Sequence, residues 1–121
     1  MPVRSVLYIQ AKPGMQHHLI ETFERIDVPG NAMKQDGCLS VELHKPEDPE
    51  APILVTALWR DRAGYQGWLD NPWRAWSTGE IAPYIADEPA AGAVYDVVLA
   101  AGDPSAIAAG ARTTGSDGGA A

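Results

Sequence analysis

The sequence predicts an α+β fold of the ferredoxin-like type, in which helices cover one face of a four-stranded antiparallel sheet. Alternating apolar and polar residues mark four strands, and amphipathic stretches give the order β-α-β-β-α-β. The length of 121 residues suits one domain with a single core. We therefore expect residues 1–102 to form this domain and the Gly- and Ala-rich residues 103–121 to form a disordered tail.

The first half of the chain contains a strand, a turn and a helix. Residues 3–12 alternate as a strand, and Pro13-Gly14 turns the chain. The helix that follows has an apolar stripe made of Met15, Leu19, Thr22, Phe23 and Ile26. Because proline lacks an amide hydrogen, Pro29-Gly30 is predicted to end this helix, after which Asn31 caps a short continuation to about residue 35.

The second half of the chain contains two strands, helical segments and a last strand. Cys38–His44 and residues 53–60 are alternating runs joined by a loop rich in proline and acidic residues. Asp61 is the predicted N-cap of a helix that continues to residue 69, and Asn71-Pro72 is predicted to begin another helical segment. Residues 91–101 are rich in valine and are predicted to form the last strand.

Charge and composition argue against several classes of partner. The formal net charge is −7 and the nine basic residues are scattered, which disfavours nucleic acid and anionic membranes. No apolar run approaches the roughly 20 residues needed to cross a bilayer, and the N-terminus lacks the layout of a signal peptide. Cys38 is the single cysteine, which excludes an internal disulfide and a thiolate metal cluster. We expect a cytoplasmic protein.

One face of the sheet is predicted to lack helices, since two helices cover only one face. The alternation assigns Val6, Tyr8, Val55, Ala57 and Trp59 to that face. An apolar patch of this kind is rarely left in water. Burying it at roughly 25 cal/mol per Å² favours pairing of the sheet with a second copy, so we expect a homodimer. The two sheets would then enclose a tryptophan-lined chamber with an imidazole at its edge.

Three stretches resemble the antibiotic biosynthesis monooxygenase family. They are the first strand with the turn at residues 12–14, the run GCLSVELH at 37–44, and the run LVTALWRDRAGYQGWLDNP at 54–72. Each stretch is short and degenerate, but their order and spacing together are fairly specific and span residues 3–100. The resemblance implies a dimeric α+β barrel and a monooxygenase of antibiotic or secondary-metabolite biosynthesis.

The heme-degrading branch of that family resembles the chain at Trp68, which falls where those enzymes have a pocket tryptophan. That branch also has a first-strand asparagine, whose position corresponds to Tyr8, and a histidine that ligates heme iron. Residues 71–80 contain no histidine. Because an axial imidazole fixes the iron in those enzymes, heme degradation is disfavoured and heme is not expected as a cofactor.

The branch that forms quinones from polyketides without a cofactor resembles the chain at His44, Trp59 and Tyr65. These residues match its strand histidine, the tryptophan that ends the next strand and the tyrosine on the following helix. The resemblance implies that they are catalytic. A polar residue that precedes the tryptophan in this branch is replaced by Val55, and Arg74 is the nearest candidate for its helical arginine.

The expected chemistry explains why these residue types are needed. A polycyclic phenol or anthrone reacts with dioxygen once it is deprotonated, because the anion can donate one electron. An imidazole is the side-chain group best suited to act as a base at neutral pH, so His44 is the candidate base, with Glu42 on the same strand face as its partner. Tyr8, Tyr65 and Trp59 can donate hydrogen bonds to an oxyanion, and indole rings offer flat stacking surfaces. The predicted substrate-binding residues are Tyr8, Glu42, Val55, Trp68, Trp73, Arg74 and Trp76. Since the substrate supplies the electrons, neither a metal nor a flavin is required.

Other interpretations stay open. His44 can be an exposed histidine at a strand end, and the four tryptophans can serve the core and a dimer seam. His17 and His18 are predicted to be solvated, and Cys38 to be buried and inert. Three alternative functions are a reduced-flavin-dependent oxygenase that opens an angucycline-type ring, a heme-degrading monooxygenase, and a non-catalytic small-molecule-binding module.

Overall fold

A computed structural model describes residues 1–87 and 91–102 of the chain. The predicted tail at 103–121 lies outside the described residues. In chain order the elements are β1 (Val3–Ile9), α1 (Gln16–Arg25), α2 (Val28–Met33), β2 (Cys38–His44), β3 (Ile53–Trp59), α3 (Arg62–Leu69), α4 (Pro72–Ile81), a 3-10 turn (Ala82–Tyr84) and β4 (Ala91–Asp96). In these described ranges, no helix has the length and apolar character needed to cross a membrane.

The four strands form one antiparallel sheet in the order β2-β3-β1-β4. The first and third strands of the chain are thus the two central strands, as in a ferredoxin-like fold. β1 pairs with β3 from Val3 opposite Trp59 to Ile9 opposite Ile53. The predicted fold class is confirmed.

The helices cover one face of the sheet, and the core lies between them. Along β1 and β3 this helix-covered face carries Val3, Ser5, Leu7, Ile9, Ile53, Val55, Ala57 and Trp59. Val3, Ile53 and Trp59 are at most 2% exposed, so the innermost core is the contact between the two central strands and the helices. Val41 and Leu43 of β2 extend the same face and are partly buried.

The open face of the sheet differs from the predicted one. It consists of Arg4, Val6, Tyr8, Ser40, Glu42, His44, Leu54, Thr56, Leu58, Ala91, Ala93 and Tyr95. The placement of Val6 and Tyr8 was correct, but the placement of Val55, Ala57 and Trp59 on this face was wrong. Alternation alone separates each strand into two sets of residues, and only the pairing register decides which sets share a face.

The helix ends near Pro29 also differ from the prediction. α1 ends at Arg25, and Pro29-Gly30 lies inside the first turn of α2, where proline needs no amide hydrogen. The Asp27 carboxylate accepts a hydrogen bond from the Gly30 amide at 3.0 Å, so Asp27 and not Asn31 is the N-cap. Asp27 has a φ of +56°, which lets the chain turn sharply between the two helices.

Two strands are shorter than their sequence patterns. β1 ends at Ile9 and not at residue 12, although Ala11 makes an isolated bridge with Ile85. β4 ends at Asp96 and not at residue 101. Asp96 pairs with Val3, the first residue of β1, so β1 has no residue left to pair with the chain beyond Asp96. A run of suitable residues continues as a strand only while a neighbouring strand can pair with it.

Helices α3 and α4 begin directly after the predicted N-caps, Asp61 and Asn71. The Asp61 carboxylate accepts from the Gly64 amide at 3.1 Å. The Asn71 side-chain oxygen accepts from the Trp73 amide at 2.9 Å, with Pro72 as the first helical residue. These caps position α3 and α4 beside the helix-covered face of the sheet.

Candidate functional site

A cavity of about 100 Å³ lies between the sheet and the helices and is partly open to solvent. Its walls come from the two central strands, β2 and all four helices. The lining residues are Ser5, Val6, Leu7, Ile9, Phe23, Val28, Ala32, Val41, Val55, Ala57, Trp59, Tyr65, Trp68, Arg74, Ser77, Thr78 and Ile81. The lining is therefore mainly aliphatic and aromatic, with a small number of polar groups, as is typical of small-molecule sites.

Trp59 and Ser5 form a hydrogen-bonded pair in the cavity wall. The indole Nε1–H of Trp59 donates to the Ser5 hydroxyl at 3.0 Å, and both side chains are buried. The pair joins β3 to β1 across the helix-covered face. The indole donor is already satisfied by Ser5, while the hydroxyl hydrogen of Ser5 is left to donate to a group inside the cavity.

Helix α3 supplies two aromatic side chains to the wall. The ring of Tyr65 lies 5.7 Å from that of Trp59, with an interplanar angle of 53°. Trp68 is only 9% exposed and lies one turn further along the same helix. Gly64 permits this arrangement, because a Cβ there would lie 3.0 Å from the backbone oxygen of Asp36 and 3.4 Å from the Trp59 ring.

Helix α4 supplies the cationic residue of the cavity and two of its hydroxyl-bearing residues. Arg74 is half-buried, and none of the ion pairs in the part of the chain that the structure describes involves it. The hydroxyls of Ser77 and Thr78 both donate to the Arg74 carbonyl, at 2.7 and 3.0 Å. Arg74 is thus the charged residue among those that line a mainly apolar cavity, where a charge interacts more strongly than in water.

The cavity brings together five of the predicted site residues: Val55, Trp59, Tyr65, Trp68 and Arg74. Trp73 and Trp76 are not lining residues. Instead the Trp73 ring lies 6.0 Å from that of Trp68, and the Trp76 ring lies 5.7 Å from that of Trp73. The two tryptophans extend from the cavity wall toward the surface, where Trp76 is 51% exposed.

Three of the predicted site residues, Tyr8, Glu42 and His44, lie on the open face, across the sheet from the cavity. The Nε2 atom of His44 is 2.6 Å from a carboxylate oxygen of Glu42, so the predicted pairing of these two side chains is present. The cavity lies within one subunit, between sheet and helices. The prediction that Trp59 lines a chamber between two open sheets is therefore wrong, because Trp59 faces the helices.

Sequence reasoning missed three polar residues of the cavity, Ser5, Ser77 and Thr78. Ser5 alternates with Val3 and Leu7, so its position on a buried face was available as a signal. Ser77 lies one turn before the buried Ile81 on α4, so the helical period likewise indicated that Ser77 shares the buried face.

Cys38 lies at the edge of the core. Burial raises the pKa of its thiol to about 11, while a hydrogen bond with the backbone of Ser40 partly opposes the rise. A thiol with this pKa is protonated at neutral pH and is a weak nucleophile, in agreement with the predicted inert cysteine. Within residues 1–87 and 91–102, no three His, Cys, Asp or Glu side chains are grouped as metal ligands would be.

The sheet order, the helices on one face and the cavity between them define a ferredoxin-like α+β domain with a partly open internal cavity. The family model described as antibiotic biosynthesis monooxygenase matches residues 2–76, and the chain belongs to this family. No curated protein sequence matched the chain.

Solved structures agree with the fold. Rv0793 from Mycobacterium tuberculosis is similar with a TM-score of 0.70 and 17% identity over 84% of this chain and 100% of that one. SnoaB from Streptomyces nogalater, described as a cofactor-independent oxygenase, has a TM-score of 0.68 and 14% identity, covering 82% of this chain and 95% of its own. A protein from Chloroflexus aurantiacus has a TM-score of 0.62 and 24% identity, covering 84% and 98%. Identities this low support the fold and leave the substrate to be argued from the site.

Proposed function

We propose that this protein is a monooxygenase that oxidises an aromatic phenol or anthrone of the polyketide type with dioxygen, in secondary-metabolite biosynthesis and without a cofactor. The observation that carries the proposal is that Arg74 lines a partly open, mainly apolar cavity together with Trp59, Tyr65 and Trp68. Membership of the monooxygenase family and the likeness to a cofactor-independent oxygenase support it.

The cavity selects a flat ring. Trp59, Trp68 and Tyr65 present aromatic surfaces, and Val55 and Ala57 form part of the sheet wall. A volume of about 100 Å³ is below the roughly 300–1,000 Å³ of pockets that enclose drug-sized ligands. We therefore place the reacting ring of a polycyclic substrate inside the cavity and the remaining rings at its opening.

Arg74 favours the ionised substrate. The described lining residues include no carboxylate or imidazole that could act as a base. A cation within a few ångströms lowers the pKa of a bound phenol or enol, because it stabilises the anion. The proton then leaves through the opening to water, and the anion stays paired with the guanidinium.

The substrate supplies all four electrons that dioxygen takes up, two when the peroxide forms and two when the peroxide loses water. The anion donates one electron to dioxygen, the resulting radical and superoxide combine, and a carbon–oxygen bond forms. Protonation of the peroxide and loss of water then give the quinone, so that an anthrone and one dioxygen become an anthraquinone and one water. The Ser5 hydroxyl, polarised by the Trp59 N–H, and the Tyr65 hydroxyl are the proposed donors to the peroxide oxygen.

The experiment follows oxidation of 1,8-dihydroxyanthrone under air, with a chelator present and with or without reduced flavin. We expect quinone formation and dioxygen uptake in equal amounts without flavin. Arg74→Gln should lower kcat/KM by roughly 10- to 150-fold, the size of a charged hydrogen bond of about 1.5–3 kcal/mol. It should also move the pH at which the rate rises to higher values, since the substrate ionises less readily. An unchanged pH profile contradicts the role of Arg74.

His44 provides the second proposed source of deprotonation. Its contact with Glu42 at 2.6 Å is the arrangement of an oriented base, although the pair lies on the open face. Loss of a general base costs roughly 10²- to 10⁴-fold in rate. The His44→Ala variant therefore separates the two mechanisms, since equal rates for this variant and the unsubstituted protein exclude the imidazole as the base.

The alternatives are resolved in the same assays. A requirement for reduced flavin would favour the ring-opening oxygenase. Heme is disfavoured because the described residues that line the cavity include no histidine to ligate the iron, and a Soret shift on adding heme would contradict this. Inactivity with every substrate and tight binding of an anthrone would favour the non-catalytic binding module. A cytoplasmic location remains part of the proposal.

A further inference from the structure

Three tryptophans form a continuous row from the cavity wall to the protein surface. Trp68 lines the cavity, its ring centroid is 6.0 Å from that of Trp73, and the Trp73 centroid is 5.7 Å from that of Trp76. The interplanar angles are 31° and 51°. Hereafter these three residues are called the tryptophan row.

The tryptophan row runs from a buried environment to a solvent-exposed one. Trp68 is 9% exposed, Trp73 is partly buried and Trp76 is 51% exposed. The closeness of the rings and the change in exposure are together the observation to be explained.

Indole is among the most easily oxidised protein side chains, and adjacent indole rings exchange an electron readily. An indole radical cation is charged, so burial penalises it and contact with water stabilises it. A radical cation formed at Trp68 is therefore lowered in free energy as it moves to Trp73 and then to Trp76. The exposure gradient gives the row a direction, from the cavity outward.

We propose that the tryptophan row carries single electrons inward, from reductants in solution to an oxidising radical in the cavity. The radical is a peroxyl species that escapes productive recombination, and this source of the oxidant rests on the proposed function. The radical takes one electron from Trp68 and becomes an anion. Trp68 then regains one electron from Trp73, and Trp73 regains one electron from Trp76. The Trp76 radical cation releases its N–H proton to water and regains one electron and one proton from a thiol or ascorbate.

The test creates radical cations without substrate or turnover, so its failure is distinct from failure of the proposed function. A short ultraviolet pulse ejects electrons from indoles whether buried or exposed, and nitrate in air-saturated buffer scavenges the electrons. Peptide mass spectrometry then measures hydroxytryptophan and kynurenine at each of the four tryptophans. Trp59, whose ring contacts Tyr65 and not the row, is the internal reference.

In the unsubstituted protein we expect the products to concentrate at Trp76 and to be scarce at Trp68. Trp73→Phe keeps an aromatic ring that is much harder to oxidise. The fraction of the oxidation products found at Trp68 should therefore rise several-fold, and the fraction found at Trp76 should fall. Trp76→Phe, at a half-exposed position, should move the products to Trp73. An unchanged Trp68 share in both variants overturns the proposal. So does an equal rise at Trp59 and Trp68, which would indicate a loosened core.

Discussion

At the scale of single residues, the Ser5–Trp59 pair joins the stability of the sheet to the chemistry of the cavity. The indole N–H is buried, and the Ser5 hydroxyl is its partner at 3.0 Å. A buried donor that loses its partner costs more than the hydrogen bond itself gains, because it remains without water. Ser5 is therefore a positioning residue for Trp59 as well as a proposed donor to the substrate.

We predict that Ser5→Ala lowers the free energy of unfolding by about 1–3 kcal/mol, the cost of an unsatisfied buried donor. Urea denaturation measures this change. In ¹⁵N–¹H spectra the Trp59 indole N–H resonance should shift and lose protection from hydrogen exchange. A Trp59 resonance that stays unchanged would show that the indole has no need of Ser5.

Ser77→Ala is the matched control for the serine substitution. Ser77 is also buried and lines the cavity, but its hydroxyl donates to the Arg74 carbonyl, which keeps the Thr78 hydroxyl as a second donor. No buried donor is left unsatisfied, so the loss should be smaller than that of Ser5→Ala. Similar losses in the two variants would mean that cavity formation, and not the orphaned indole, sets the cost.

Residue types predicted part of this site, and register decided the rest. Trp59, Tyr65 and Arg74 were identified from the chemistry that they can perform and from family resemblance. His44 was identified from the same kind of evidence, yet it lies on the opposite face of the sheet from the cavity. Its strand partner is Leu54, which is on the open face, and not Val55, which lines the cavity. Ser5 was missed since one hydroxyl in an apolar strand looks unremarkable until its partner, Trp59 on another strand, is known.

At the scale of elements, helix α3 is held against the turn before β2 by a glycine. A Cβ at Gly64 would lie 3.0 Å from the Asp36 backbone oxygen and 3.3 Å from the Gly37 Cα, and these backbone atoms cannot move aside easily. The next residue on α3 is Tyr65, which packs near Trp59. Close approach of this helix therefore sets the width of the cavity at its aromatic end.

We predict that Gly64→Ala is less stable than Gly79→Ala by about 1–3 kcal/mol, the usual cost of overpacking. Both positions are helical, so both variants gain the same helix propensity of up to about 1 kcal/mol. A Cβ at Gly79 meets nothing within 4 Å, which makes this variant the matched control. Thermal unfolding measures the difference, and equal melting temperatures would contradict the tight contact at Gly64.

The order of elements was predictable because each strand and helix has its own period in the sequence, and the caps at Asp61 and Asn71 were predictable from side-chain chemistry. The boundary at Pro29 was not. Proline ends one helix and equally begins another, and the choice depends on Asp27, which adopts a left-handed conformation and caps α2. Local patterns leave such a choice to the packing of α2 against its neighbours.

At the scale of the whole molecule, the open face of the sheet bears on both assembly and activity. Tyr8 and Tyr95 are 50% and 59% exposed on it, and Leu54 and Leu58 are partly exposed beside them. The face also carries Arg4, whose guanidinium donates to Thr56 at 3.1 Å, and the pair of His44 and Glu42. Because this face carries both cationic and acidic groups, a second copy related by a two-fold axis can place each cationic group opposite an acidic one.

We therefore propose that two copies associate through their open faces, and we predict a dimer by sedimentation equilibrium. Ala93→Glu should shift the protein toward the monomer, because Ala93 lies on the open face opposite Val6 and two added carboxylates would be buried near each other. Ala75→Glu on the exposed side of α4 adds the same charge to a net −7 chain and should stay dimeric. A monomeric unsubstituted protein, or dimers in both variants, would remove the open face as the interface. If His44 acts in catalysis from that face, Ala93→Glu should lower activity together with dimerisation, whereas a cavity that works within one subunit keeps its activity as a monomer.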